Sequence, residues 1–351
     1  RKREIIMFKN ILVQALCNTG DVVLCTAAIG LLRKAYPEAK ITVMVRPISR
    51  EIVEDNPYID DVIIADYKSK QSSFGGMLKM VQDIKARKFD LSIALDGKQR
   101  SALLGWLARI PVRVGANNIF NRLPYLRRKM FTKIISPDCD TNKSHQSEIF
   151  QSIVRQLTGI TGVAPLSMAQ VRERHKEKAQ QLINQLPAHE ERIALCVKGT
   201  FPLKDWQQEK FVQLIERMNT KYPNSAFYII GAPGDYDYAE EIVKAAKVPV
   251  VNFCGQTSLV DLRALLMETQ LFISVCTGAV HIASTTEVPI VVIYGCTTPV
   301  RWHPLNQNYR VVHAGLTCTP CSIPADACPE HSCMKNISVA DVEKAVDELK
   351  V

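Results

Sequence analysis

Short apolar runs alternate with longer stretches whose apolar residues recur at helical spacing, and this alternation constrains the chain more than any other feature. Residues 10–16 (NILVQAL), 41–45 (ITVMV), 61–65 (DVIIA), 90–95 (DLSIAL) and 112–116 (VRVGA) read as strands. Between the first two, Leu24, Ala28, Leu31 and Ala35 fall on one helical face, and Pro37 ends that helix. Helices are also expected around 74–87 and 101–109. A charged amphipathic helix at 171–186 opens a second series. Its strands are 193–197, 226–230, 250–253, 271–275 and 290–294, with helices at 206–221, 238–247, 258–268 and 278–286. The pattern predicts an α/β protein of two domains, each a parallel sheet covered by helices on both faces. The expected domains are 1–165 and 166–337, with a hinge near Gly162 to Pro165. A last helix, 338–351, is free to pack on either domain.

The length of 351 residues and a hydrophobic fraction of 47% suit two such cores. A net charge of +9 favours anionic partners such as nucleotide phosphates, phosphorylated glycans or an acidic membrane surface. Nucleic acid is disfavoured, because no compact basic run is interleaved with aromatics and no zinc-finger spacing occurs. The N-terminal stretch imitates a secretion signal until Asn18-Thr19-Gly20-Asp21 interrupts the apolar run. Met7 is the expected natural start. No uninterrupted apolar segment is long enough to span a bilayer, so a cytoplasmic location with reduced thiols is expected.

In open parallel sheets ligands bind beyond the carboxyl ends of strands, and two such domains facing each other share a central cleft. Four loops in that position carry candidate chemistry. In the first, Asn18-Thr19-Gly20-Asp21, Gly20 permits a tight turn, and Asp21 suits either a helix N-cap or a general base. No G-x-G-x-x-G or Walker lysine is present, which weighs against dinucleotide and P-loop chemistry. The second loop, 198–206, holds Lys198, Thr200 and Lys204; the lysines fit a pyrophosphate or open solvent equally well. The third is Ser274 to His281, with Cys276, Thr277 and Gly278 where a strand passes into a helix. Thr277 and His281 share one helix face and read either as phosphate ligands or as a cap and a satisfied core histidine. The fourth, with Gly295, Thr297 and Thr298, is either a nucleotide subsite or an ordinary turn.

Cys318, Cys321, Cys328 and Cys333 crowd into 16 residues with His331 among them. The spacing is C-x2-C, six residues, then C-x4-C, a shorter central gap than zinc ribbons normally leave. These thiols are weak metal candidates; an oxidised pair or plain reduced thiols are the alternatives. The scattered cysteines, Cys17, Cys25, Cys196, Cys254, Cys276 and Cys296, read mostly as small buried hydrophobes.

Taken in order, these segments resemble the ADP-heptose:lipopolysaccharide heptosyltransferases of glycosyltransferase family 9. The stretches that carry the resemblance are ILVQALCNTGDVVLCTAAIGLLRKAYPEAKITVMV, LDGKQRSALLGWLARIPVRVG, His145 with Glu148, GTFPLKDWQQEKF, VCTGAVHIASTTEVPIVVIYGCTTPVRWHP and the cysteine-rich tail. It covers nearly the whole chain; each motif is modestly specific, their joint order strongly so. The resemblance implies a GT-B fold of two Rossmann-like domains and an inverting transfer from an ADP-sugar, with no cofactor or catalytic metal. It makes Asp21 the general base, with Asn18, Thr19 and Gly20 as its acceptor-side loop. Lys204, Thr200, the backbone at Thr277 and Gly278, and His281 would hold the donor diphosphate, with Lys198, Gly295, Thr297 and Thr298 near the nucleotide. The implied acceptor is a lipid-linked anionic oligosaccharide, reached through peripheral contact with the cytoplasmic face of the inner membrane.

One position departs from the family pattern. An acidic residue usually precedes the Thr/Ser-Gly of the third motif, where it is thought to hold hydroxyls of the transferred sugar; this chain has Cys276. A thiol is a poor hydrogen-bond acceptor. A different donor sugar and a non-catalytic sugar-nucleotide binder are therefore the alternative readings.

Overall fold

The computed structural model describes residues 7–67, 73–117, 129–321, 328 and 330–350. It forms two compact units, 1–170 and 171–351.

In the first unit, β1 (Asn10–Gln14), β2 (Lys40–Val45), β3 (Asp61–Ile64), β4 (Leu91–Ala94), β5 (Val112–Ala116) and β6 (Lys133–Ile135) form one sheet in the order β3-β2-β1-β4-β5-β6. Every pairing is parallel. Ile11, Leu12 and Val13 are buried, as expected of a strand covered on both faces. Helix α1 (Thr19–Ala35) follows β1, and the short α2 (Arg50–Val53) follows β2. Helices α3 (Phe74–Ala86) and α4 (Gln99–Leu107) send Met80, Val81, Ile84, Leu104 and Ala108 into one cluster with Leu12, Leu16 and Met44. Helix α5 (Gln146–Thr158) lies along α1. His145 Nδ1 caps its start by accepting from Ser147 N at 3.2 Å, and Gly159 ends it at φ 76°.

The predicted hinge moves outward. Residues 164–169 stay on the first unit because their backbone groups find partners there. Ala164 N donates to Gln151 Oε1 (2.7 Å), Ser167 N to Thr26 Oγ1 (3.0 Å) and Ala169 N to Ile52 O (3.2 Å).

The second unit begins with α6 (Glu173–Ile183) and builds its sheet from β7 (Glu191–Cys196), β8 (Ser225–Ile229), β9 (Val250–Asn252), β10 (Leu271–Val275), β11 (Ile290–Tyr294) and β12 (Tyr309–His313). The order is β12-β11-β10-β7-β8-β9, again all parallel. Read from its own first strand, this is the order of the first sheet, so the chain repeats one doubly wound topology. The crossover helices are α7 (Gln208–Lys221), α8 (Tyr236–Ala245), α9 (Leu259–Met267), α10 (Gly278–Ala283) and α11 (Pro299–Trp302). After β12 come α12 (Ser332–Lys335) and α13 (Val339–Lys350).

Helix α13 packs on the second unit, which decides between the two placements open from sequence. Val342, Ala345 and Val346 enter that unit's core. Ion pairs Arg217–Glu343 (2.6 Å) and Arg310–Glu348 (2.9 Å) join it to α7 and β12. Among the described residues, no helix is long and apolar enough to cross a membrane.

Candidate active site

A doubly wound sheet binds ligands where its strand order reverses. In the first unit that point lies between β1 and β4, in the second between β7 and β10. The loops leaving these four strands hold most of the candidate residues.

After β1, helix α1 starts at Thr19, so Asn18 is the N-cap and Asp21 lies at the third helical position. This corrects the reading of Asp21 as a cap. Its carboxylate instead reaches back to accept from Asn18 N at 3.3 Å, closing a capping box. Gly20 is buried, Thr19 and Asp21 are half-buried, and Asn18 is exposed. Asn18 Oδ1 accepts from Arg46 Nη2 at 3.3 Å, tying the loop to the end of β2.

The loop after β4 contributes a residue that the sequence reading passed over. Asp96 is buried and accepts from Leu16 N (3.0 Å), Lys98 N (2.9 Å) and Ser101 Oγ (2.5 Å). Burial raises its pKa, and the three donors oppose that rise. A lone aspartate after a strand gives no sequence signal; only the pairing of β1 with β4 brings it to the loop preceding Asp21.

In the second unit, the loop after β7 folds as a tight 3-10 turn over Pro202–Lys204. Gly199 N donates to Asp205 Oδ1 at 2.7 Å. A Cβ on Gly199 would come within 2.4 Å of Lys204 Cβ, so glycine is required for the loop to fold this closely. Lys198 Nζ lies 5.1 Å from the Tyr238 ring centre, and Lys204 Nζ 4.9 Å from that of Phe201. Thr200 is exposed. Trp206 anchors the loop: it is fully buried, meets Phe211 edge-on at 5.0 Å, and donates from Nε1 to Ile337 O (3.1 Å). His331 Nε2 donates to Leu203 O at 2.9 Å.

Beyond β10, Cys276 is buried, Thr277 caps α10 without a side-chain hydrogen bond, and Gly278 begins the helix. His281 is buried, and its Nδ1 has no hydrogen-bond partner among the described residues. Burial, then the nearby Lys204 ammonium and His303, lower its pKa to about 3. His281 is therefore a neutral imidazole near pH 7, and the cationic charge beside it belongs to Lys204. Burial raises the thiol of Cys296 to about 11, against the opposing pull of the Lys204 ammonium. The structure thus gathers Lys204 from the turn after β7, His281 from α10 and Cys296 from the loop after β11.

On the loop after β11, Thr297 Oγ1 is buried without a partner among the described residues, and Thr298 caps α11. A Cβ on Gly295 would meet Met334 Sδ at 2.6 Å and Cys333 Sγ at 3.3 Å, so this glycine lets α12 pack beneath the loop. Of the tail cysteines, Cys333 is in the core, Cys321 and Cys328 pack against it, and Cys318 is exposed. All are free thiols, and among the described residues no three His, Cys, Asp or Glu side chains are grouped to hold a metal ion.

The family model described as glycosyltransferase family 9 (heptosyltransferase) matches residues 77–330. The chain belongs to this family. It is a glycosyltransferase of GT-B architecture. It is similar to two Escherichia coli proteins named lipopolysaccharide heptosyltransferase 3. One is 23% identical over 84% of this chain and 85% of the relative, the other 26% identical over 84% and 86%. Among solved structures, a family 9 glycosyltransferase from Veillonella parvula superposes with a TM-score of 0.85 at 24% identity, covering 97% of both chains. The E. coli ADP-heptose heptosyltransferase II superposes at 0.76 and 19% identity, covering 97% of this chain and 98% of its own. An E. coli heptosyltransferase solved with ADP gives 0.69 at 19% identity, covering 97% and 99%.

Proposed function

We propose that this family 9 glycosyltransferase moves a heptose from ADP-heptose to an anionic, lipid-linked core oligosaccharide, inverting the anomeric centre without a metal. The observation that carries the reading is the convergence of Lys204 and His281 at the switch point of the second sheet. A departing diphosphate needs a fixed cation and hydrogen-bond donors there. Lys204 supplies the charge. His281, neutral and with one ring nitrogen unpartnered, supplies a hydrogen-bonding group that does not compete with Lys204 for the phosphate as a second cation would. Thr297, with its orphaned hydroxyl, and Thr298, Gly295 and Lys198 surround the nucleotide in this reading.

Asp21 of the first unit takes the proton from the acceptor hydroxyl as that oxygen bonds to the anomeric carbon. The bond from that carbon to the diphosphate oxygen breaks with its electrons, and ADP leaves. Charge distribution supports an anionic acceptor. Residues 1–170 carry 26 Lys and Arg against 15 Asp and Glu, a net +11, whereas residues 171–351 carry 18 against 20, a net −2. The basic balance of the chain lies wholly in the acceptor-side unit. The same asymmetry favours peripheral attachment of that unit to the cytoplasmic face of an anionic membrane.

The buried thiol of Cys276 favours a second reading, in which the transferred sugar differs from heptose. Calorimetric titration with ADP, UDP, GDP, CMP and ADP-heptose, without added metal, tests both. Tighter binding of ADP-heptose than ADP supports the first reading. Equal binding turns the search to another sugar, and preference for another nucleotide sinks the ADP assignment. Asp21→Ala is expected to bind ADP normally and lose roughly 10²–10⁴ in turnover; normal turnover would remove Asp21 from the mechanism.

A further inference from the structure

Asp96 is the single buried acidic side chain among the described residues. A buried carboxylate is costly unless its oxygens are satisfied, and here each is. Its partners share a location. Leu16 N belongs to the loop between β1 and α1, while Lys98 N and Ser101 Oγ belong to the start of α4. Gln14 Nε2 reinforces the same junction by donating to Ser101 O at 2.9 Å. Two residues beyond Leu16, Asn18 N donates to Asp21. Two carboxylates therefore grip one short loop at amides no more than about 7 Å apart along the chain. Three donors and no acceptor around Asp96 fit an ionised carboxylate.

We infer that Asp96 is a positioning residue for Asp21, clamping the loop between β1 and α1. The inference rests on the proposed role of Asp21. The clamp fixes where α1 begins, and hence where Asp21 points.

The test uses the full chain and three variants. Asp96→Asn keeps the shape but turns its amide hydrogens toward donors. It is expected to lower kcat about 10- to 100-fold while ADP affinity, a property of the second unit, stays within twofold. Ser101→Ala removes one of the three hydrogen bonds to Asp96. It should lower kcat about three- to tenfold with ADP affinity unchanged. Wild-type kcat in Asp96→Asn, or a lowered kcat with ADP binding weakened to the same extent, overturns the inference. Should Asp96→Asn fail to fold, Ser101→Ala decides: reduced kcat with normal ADP binding supports the clamp, and wild-type kcat refutes it. Asp21→Ala separates the two ideas. An active Asp21→Ala defeats the underlying mechanism, whereas an inactive one beside a normal Asp96→Asn defeats this inference alone.

Discussion

Replacing Lys204 with alanine tests the proposed donor site most directly. The lysine lies half-buried in a turn held by Gly199, Asp205 and Trp206, so its removal leaves the surrounding loop intact. A charge-assisted hydrogen bond contributes about 1.5–3 kcal/mol, which converts to roughly 10- to 150-fold in kcat/KM. Negative charge on the diphosphate grows as the glycosidic bond breaks, so part of the loss should fall on kcat, with ADP affinity reduced less. A second, independent signal follows from position. Lys204 helps hold the His281 pKa near 3, behind burial as the larger cause. In Lys204→Ala that pKa should rise, though burial still leaves the ring neutral at pH 7. Steady-state kinetics with ADP calorimetry gives the first readout and NMR titration of labelled histidine the second. A kcat/KM within threefold of wild type would refute the assignment of Lys204 to the diphosphate; an unmoved His281 would refute their proximity.

Trp206→Ala empties a fully buried site and breaks the bond to Ile337 O, so it should cost about 3–5 kcal/mol in the unfolding of the second unit, read by denaturant titration. His281 sets a pH dependence. Its folded pKa lies below the unfolded value near 6.5, so the unfolded chain binds the extra proton. The stability from a neutral His281 is complete above pH 6.5 and is lost as pH falls toward 3, at up to about 1.4 kcal/mol per unit. Denaturation at stepped pH should show a shallower acid slope in His281→Gln than in wild type, and equal slopes would contradict the burial argument.

Much of the architecture is legible in the sequence because parallel strands covered on both faces must be continuously apolar. The runs at 41–45, 226–230, 271–275 and 290–294 coincide closely with β2, β8, β10 and β11. What escapes has physical causes. Strand β6 is three residues long, and the edge strand β12 is mostly half-exposed, so neither shows a buried run. Helix α5 did leave a signal, with Ile149, Phe150, Ile153 and Val154 on one face and Gly159 after the end. At the site, Asp21, Lys204 and His281 are visible because each follows an apolar strand. Asp96 follows one too, but its significance depends on which strand lies next to β1, and strand order is not written in any local pattern.

The stitching of the donor loop to the far end of the chain has a temporal consequence. Trp206 and Ile337 stand 131 positions apart, and Leu203 leans on His331. On the ribosome, at about 5–20 residues per second, the loop must wait roughly 7 to 26 seconds for the segment that holds it. A nascent chain therefore carries its proposed base, Asp21, long before the loop proposed to hold the donor diphosphate is anchored.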